Sequence, residues 1–101
     1  MNTNTEMSPF ELTQNTALGR MIHSFAKETY TNMVDYLIKT DLYYLNIGPI
    51  IKEAIDVYHT KLHEFGNGIQ ARDYAYELAI SSVKELFKKV SISIMNTHVS
   101  S

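Results

Sequence analysis

Residues 66–90 read GNGIQARDYAYELAISSVKELFKKV. The opening Gly66-Asn67-Gly68 is a helix stop, because glycine enters left-handed backbone without the penalty a Cβ brings. Behind it, apolar side chains fall at Ala75, Tyr76, Ala79, Ile80, Val83, Leu86, Phe87 and Val90. Steps of three and four trace one face of an α-helix, whereas a strand would alternate in twos. Glu85 and Lys89 form a favourable i,i+4 pair, and Lys84, Lys88 and Lys89 suit the negative end of the helix dipole. Ser91-Ile92-Ser93-Ile94 alternates like a strand, but a lone strand has no partner here. The pattern therefore predicts a helix over 69–95 that frays over 98–101.

The same period runs N-terminal to the stop. Ile51, Ala54, Ile55, Tyr58, Leu62 and Phe65 share one face of a helix predicted over 49–65. Gly48-Pro49 reads as its start, with Pro49 at the first helical position, where no donor is needed. Before it lies a dense apolar connector at 41–47, Leu42-Tyr43-Tyr44-Leu45-Asn46-Ile47, opened by a Thr40-Asp41 cap. The connector reads as one helical turn or a short extended piece.

A first helix is predicted over 9–39. Ser8-Pro9-Phe10-Glu11 carries a capping-box start. The stripe behind it is Leu18, Ile22, Phe25, Thr29, Met33, Tyr36, Leu37 and Thr40. Unbroken, that helix would be about 46 Å long, against roughly 34 Å across for a compact domain of this size. Either it breaks near the polar Thr13–Thr16 stretch or the molecule is elongated and has apolar surface to cover. Residues 1–8 are polar and aperiodic and read as a disordered start. The expected architecture is all-α: one helical domain over 9–97, built from three main helices and the connector.

Composition narrows the function classes. With 101 residues, 45% hydrophobic and 20% charged, the chain is an ordinary globular domain with a thin core. Its net charge of −2 argues against nucleic acid as the partner, since phosphate contacts demand a basic surface. The absence of cysteine removes disulfides, thiolate zinc sites and a thiol nucleophile. No apolar run reaches membrane length and no secretory signal is visible, so a cytoplasmic protein without membrane attachment is expected. Abundant Asn, Ile, Lys, Tyr and Thr with little Arg suggest AT-rich coding, as in many phages and mobile elements. A phage-encoded protein would work in the host cytoplasm.

Candidate sites are few. Asp56, His59 and His63 share a helix face at steps of three and four, a spacing that can chelate zinc or nickel. Three ligands fall short of a structural zinc site, and the pattern is not HExxH, so no cofactor is expected. His23 lies beside the first stripe and reads as a boundary histidine. Lys84, Lys88 and Lys89 are a weak nucleic-acid candidate, with acidic Glu77 and Glu85 interleaved. No nucleophile sits in a recognisable catalytic context, so no enzyme is predicted.

The larger signal is surplus apolar surface. Tyr30, Val34 and Ile38 form a second stripe on the first helix, Tyr43 and Tyr44 stand on the connector, and Tyr74 and Leu78 oppose the last helix's core face. A bundle helix needs only an apolar stripe about 100° wide. These residues predict an interface, with Tyr30, Val34, Ile38, Tyr43 and Tyr44 at its centre, serving a homodimer or another protein partner. The expected function is a non-catalytic interaction module: an inhibitor, adaptor or regulator that occludes a partner surface. A small helical DNA-binding regulator and an oligomer that sequesters a small ligand such as a nucleotide are the alternatives.

Overall fold

The computed structural model describes residues 16–100, with side chains described through residue 93. The expectations for residues 1–15, including the start at Pro9, lie outside that range. Among the described residues four helices follow in order: α1 (Ala17–Thr29), α2 (Thr31–Lys39), α3 (Tyr43–Phe65) and α4 (Gly68–Ser100). No strand occurs among the described residues, so the all-α class holds and the three expected main helices become four.

The first expected helix is two. Thr16 caps α1, its Oγ1 accepting from the Gly19 N–H at 2.9 Å. The break within the described residues comes at Tyr30, where φ is −125° and ψ 42°. Neither glycine nor proline is involved. The Thr31 hydroxyl donates to the Lys27 carbonyl at 2.5 Å, satisfying an acceptor at the end of α1. The Tyr30 ring stacks on Phe87 of α4, centroids 4.6 Å apart and planes 15° apart, and meets the edge of Phe25 at 6.3 Å. Tertiary stacking fixes a bend that local propensity does not encode. The bend also resets the helical phase. Val34 and Leu37 are buried, while Tyr36 and Thr40 of the expected stripe are exposed.

Thr40-Asp41 closes α2 and does not cap the next helix. Asp41 is left-handed at φ 62°. Its N–H donates to the Ile38 carbonyl at 3.1 Å, and the Leu42 N–H donates to the Leu37 carbonyl at 2.8 Å. These two bonds define a Schellman motif with aspartate where glycine is usual.

Residues 43–47 of the connector open α3. Pro49 therefore lies inside a 23-residue helix instead of starting one. It removes the donor that would reach the Leu45 carbonyl. Leu45 and Pro49 both stand on the exposed side, and the helix continues through them.

The stop forms as expected. Gly66 is left-handed at φ 64°, and its N–H donates to the Leu62 carbonyl at 2.9 Å. Asn67 then caps α4, its Oδ1 accepting from the Gln70 N–H at 3.0 Å. The strand-like 91–94 segment is helical within the 33-residue α4. At about 1.5 Å per residue α4 is about 50 Å long, and it sets the long axis of a molecule measuring 53 × 35 × 18 Å.

The 18 Å dimension holds two helical layers: α3 and α4 as an antiparallel hairpin, with α1 and α2 laid across one face. On α4, Ala71, Ala75, Ala79, Val83 and Phe87 recur at i,i+4 steps and are all buried. The small residues bring α3 close, and Val83 and Phe87 fill the core where Tyr30 stacks. Leu18, Ile22, Ala26, Val34, Leu37, Tyr43, Ile47, Ile51 and Ala54 complete the core. The opposite face of the hairpin carries no third layer among the described residues.

Candidate functional site

The uncovered face of the hairpin bears a groove. Two contiguous depressions of about 220 and 360 Å³ share Glu53, Val57 and Leu78. Ile50, Val57, Tyr74 and Leu78 give the groove its apolar centre. Tyr74 and Leu78 are exposed, because they lie on α4 away from the Ala71–Ala75–Ala79 line. Along α3, Glu53, Val57 and Lys61 follow at i,i+4 steps and so share one edge: acid, apolar, base. Asp56 stands near the acidic end. Lys61 lies over the Tyr74 ring, 4.7 Å from its centroid, and over Phe65 at 5.7 Å. Its ammonium donates to Glu64 at 3.0 Å, a bond that holds its pKa above the ordinary value.

On the other side of α3, near the start of α4, lies a wider cleft of about 590 Å³. Among the described residues it is lined by the first residues of α1 (Ala17, Leu18), by Ile55, Tyr58 and His59 of α3, and by Asn67, Gly68, Ile69 and Arg72. Gly68 is close to α3: a Cβ there would stand 3.6 Å from the Tyr58 hydroxyl, an ordinary contact. Arg72 donates through one terminal nitrogen to Asp73 at 3.2 Å, while its Nε is buried and has no hydrogen-bond partner.

The expected interface set divides. Val34 and Tyr43 are fully buried and belong to the core, so neither presents a surface to a partner. The reason is the break at Tyr30, which turns the second stripe inward, and the folding of the connector into α3. Tyr30 and Tyr44 are half-buried against the core, Tyr30 on Phe87 and Tyr44 edge-on to Tyr43 at 5.1 Å. Ile38 is exposed, joined at the α2–α3 corner by Tyr36, Leu42 and Leu45.

His23 is a boundary residue with a specific partner. Its Nδ1 lies 2.7 Å from the hydroxyl of buried Tyr43. Burial, with Lys27 adding repulsion, lowers the His23 pKa, and burial raises that of Tyr43. The neutral imidazole accepting from the phenol is the arrangement that fits both shifts.

Asp56, His59 and His63 do not converge. Asp56 lines the groove and His59 the cleft, and Asp56 and His63 are separated by about 10 Å of helix rise. Among the described residues no group of His, Asp or Glu is arranged to hold a metal ion. Lys84, Lys88 and Lys89 are exposed with Glu85 beside them, and Lys89 stands about 100° around the helix from Lys88. They form no single basic face. No helix among the described residues is long and apolar enough to cross a membrane.

Sequence reasoning did not see the cleft around Arg72. That cleft joins residues from three separate segments, 16–18, 55–59 and 67–72, and no local pattern announces it. No family model, curated protein or solved structure matches this chain. The site must be read from its own geometry: a two-layer helical domain with an apolar groove on one side and a polar-rimmed cleft on the other.

Proposed function

We propose that this chain is a non-catalytic helical interaction module that pairs with a second copy of itself through the α3–α4 groove. In that role it serves as an inhibitor, adaptor or regulator, covering an apolar surface of a protein partner. The observation that carries the reading is the order Glu53–Val57–Lys61 beside exposed Tyr74 and Leu78. An isologous dimer brings the same patch against itself with its direction reversed. With the two-fold axis near Val57, Glu53 of each copy meets Lys61 of the other, and Leu78 and Tyr74 bury their exposed surface between them. Apolar residues in the middle and charges at the rim match the anatomy of protein interfaces.

The exposed Tyr36, Ile38, Leu42 and Leu45 at the α2–α3 corner remain for the further protein partner. The AT-rich composition fits a phage or mobile-element protein acting on a host factor in the cytoplasm. Light scattering at micromolar concentration tests the pairing: a mass about twice 11.6 kDa is expected, falling to 11.6 kDa for Leu78→Glu with unchanged helical circular dichroism. A wild-type mass of 11.6 kDa across the concentration range ends the reading.

A further inference from the structure

The geometry points to a second site: the cleft between α1, α3 and the start of α4 binds a small organic anion, a single carboxylate on an apolar body. Its floor and its rim have different chemistry. Leu18 and Ile55 give an apolar floor, with Ile69, 65% exposed, at the margin. The rim supplies donors. The Tyr58 hydroxyl lies beside Gly68, as the 3.6 Å approach shows, and Arg72 lines the cleft from the second turn of α4. No aspartate or glutamate is among the described residues that line the cleft.

Arg72 carries the inference. A guanidinium offers five N–H donors and no acceptor. Asp73 takes one terminal nitrogen, and Nε is buried without a partner. An unsatisfied donor is costly; the terminal nitrogens keep N–H groups that Asp73 does not take, and a carboxylate is the group whose two oxygens fit the edge they form. The cavity of about 590 Å³ is of the size small-molecule sites have. A bound acid would place its carboxylate between Arg72 and the Tyr58 hydroxyl and its hydrocarbon against Leu18 and Ile55. This site lies across α3 from the groove and does not depend on pairing.

The test uses the full-length chain, octanoate as the probe and 1-octanol as its uncharged counterpart, followed by backbone amide shifts in NMR. Octanoate should give saturable shifts concentrated at 16–18, 58–59 and 67–72, with 1-octanol at least about tenfold weaker. Arg72→Gln should bring octanoate down to the octanol level, and Tyr58→Phe, which removes only a hydroxyl, should weaken it in the same direction. Repeating the titration on Leu78→Glu should leave the affinity unchanged, which separates this site from the groove. Equal binding of acid and alcohol, shifts centred on the groove, or no saturation at low-millimolar octanoate would each overturn the proposal.

Discussion

Lys27 forms an ion pair with Asp35, eight residues further along the chain. In a straight helix that separation is about 12 Å along the axis, beyond the reach of such a pair. The contact exists because the chain turns at Tyr30, and it spans the turn. Both side chains are about half exposed, so the pair reports the bend more than it holds it. The Tyr30–Phe87 stack, formed against a fully buried ring, is what holds it.

Tyr30→Ala should therefore destabilise the fold by about 2–4 kcal/mol, combining the lost burial with the lost stacking. Lys27→Ala or Asp35→Ala should cost less than about 1 kcal/mol. Urea denaturation of the three variants checks the ranking. Equal losses would mean that the ion pair, and not the stack, fixes the bend.

The two left-handed positions make opposite forecasts. Asp41 holds φ 62° with a Cβ, so Asp41→Gly should stabilise by about 0.5–1 kcal/mol. Gly66 holds φ 64° without one, so Gly66→Ala should destabilise by about 1 kcal/mol, although nothing crowds its Cβ position. Gly68→Ala, whose new Cβ meets only ordinary contacts, should be neutral or slightly stabilising. Thermal melts of the three variants provide the comparison.

His23 ties stability to pH. Its folded-state pKa lies below the 6.5 of a free imidazole, first through burial and then through Lys27. Between the folded value and 6.5 the unfolded chain binds more protons, so stability falls as pH drops through that window. Above 6.5 this group contributes no slope, and below its folded pKa the loss levels off. His23→Gln should flatten the profile in that window. Tyr43→Phe should cost about 1 kcal/mol at neutral pH by removing the bond to Nδ1. Chemical denaturation from neutral to mildly acidic pH measures both.

Val34 and Ile38 test the phase of α2. Val34→Ala, at a fully buried site, should cost about 2 kcal/mol. Ile38→Ala, at a site 42% exposed, should stay within about 0.5 kcal/mol. The reverse order would contradict this burial of Val34 and exposure of Ile38.

The elements that were legible in the sequence are those whose signals are local. The i,i+4 line from Ala75 to Phe87 and the Gly66 stop are properties of neighbouring residues, and both formed as read. The break at Tyr30 was not legible, because its cause is Phe87, 57 positions away. Carrying one helical phase across it moved Tyr36 into the expected core and Val34 out of it. Pro49 misled for a related reason. A proline near a glycine usually marks a helix start, yet Leu45 lies on the water side and lets the helix continue. Tyr74 and Leu78 were visible as surplus apolar residues, but their alignment with Glu53 and Lys61 on a second helix required the hairpin.

The most direct test of pairing through the groove is a charge exchange between Glu53 and Lys61. Glu53→Lys and Lys61→Glu each place like charges at both ends of the two-fold interface, so each variant alone should scatter as a monomer of 11.6 kDa. Mixed in equal amounts they restore opposite charges at both ends, and the mass should return to about twice 11.6 kDa. Variants that pair as well as the wild type, or a mixture that stays monomeric while the wild type pairs, would contradict the account.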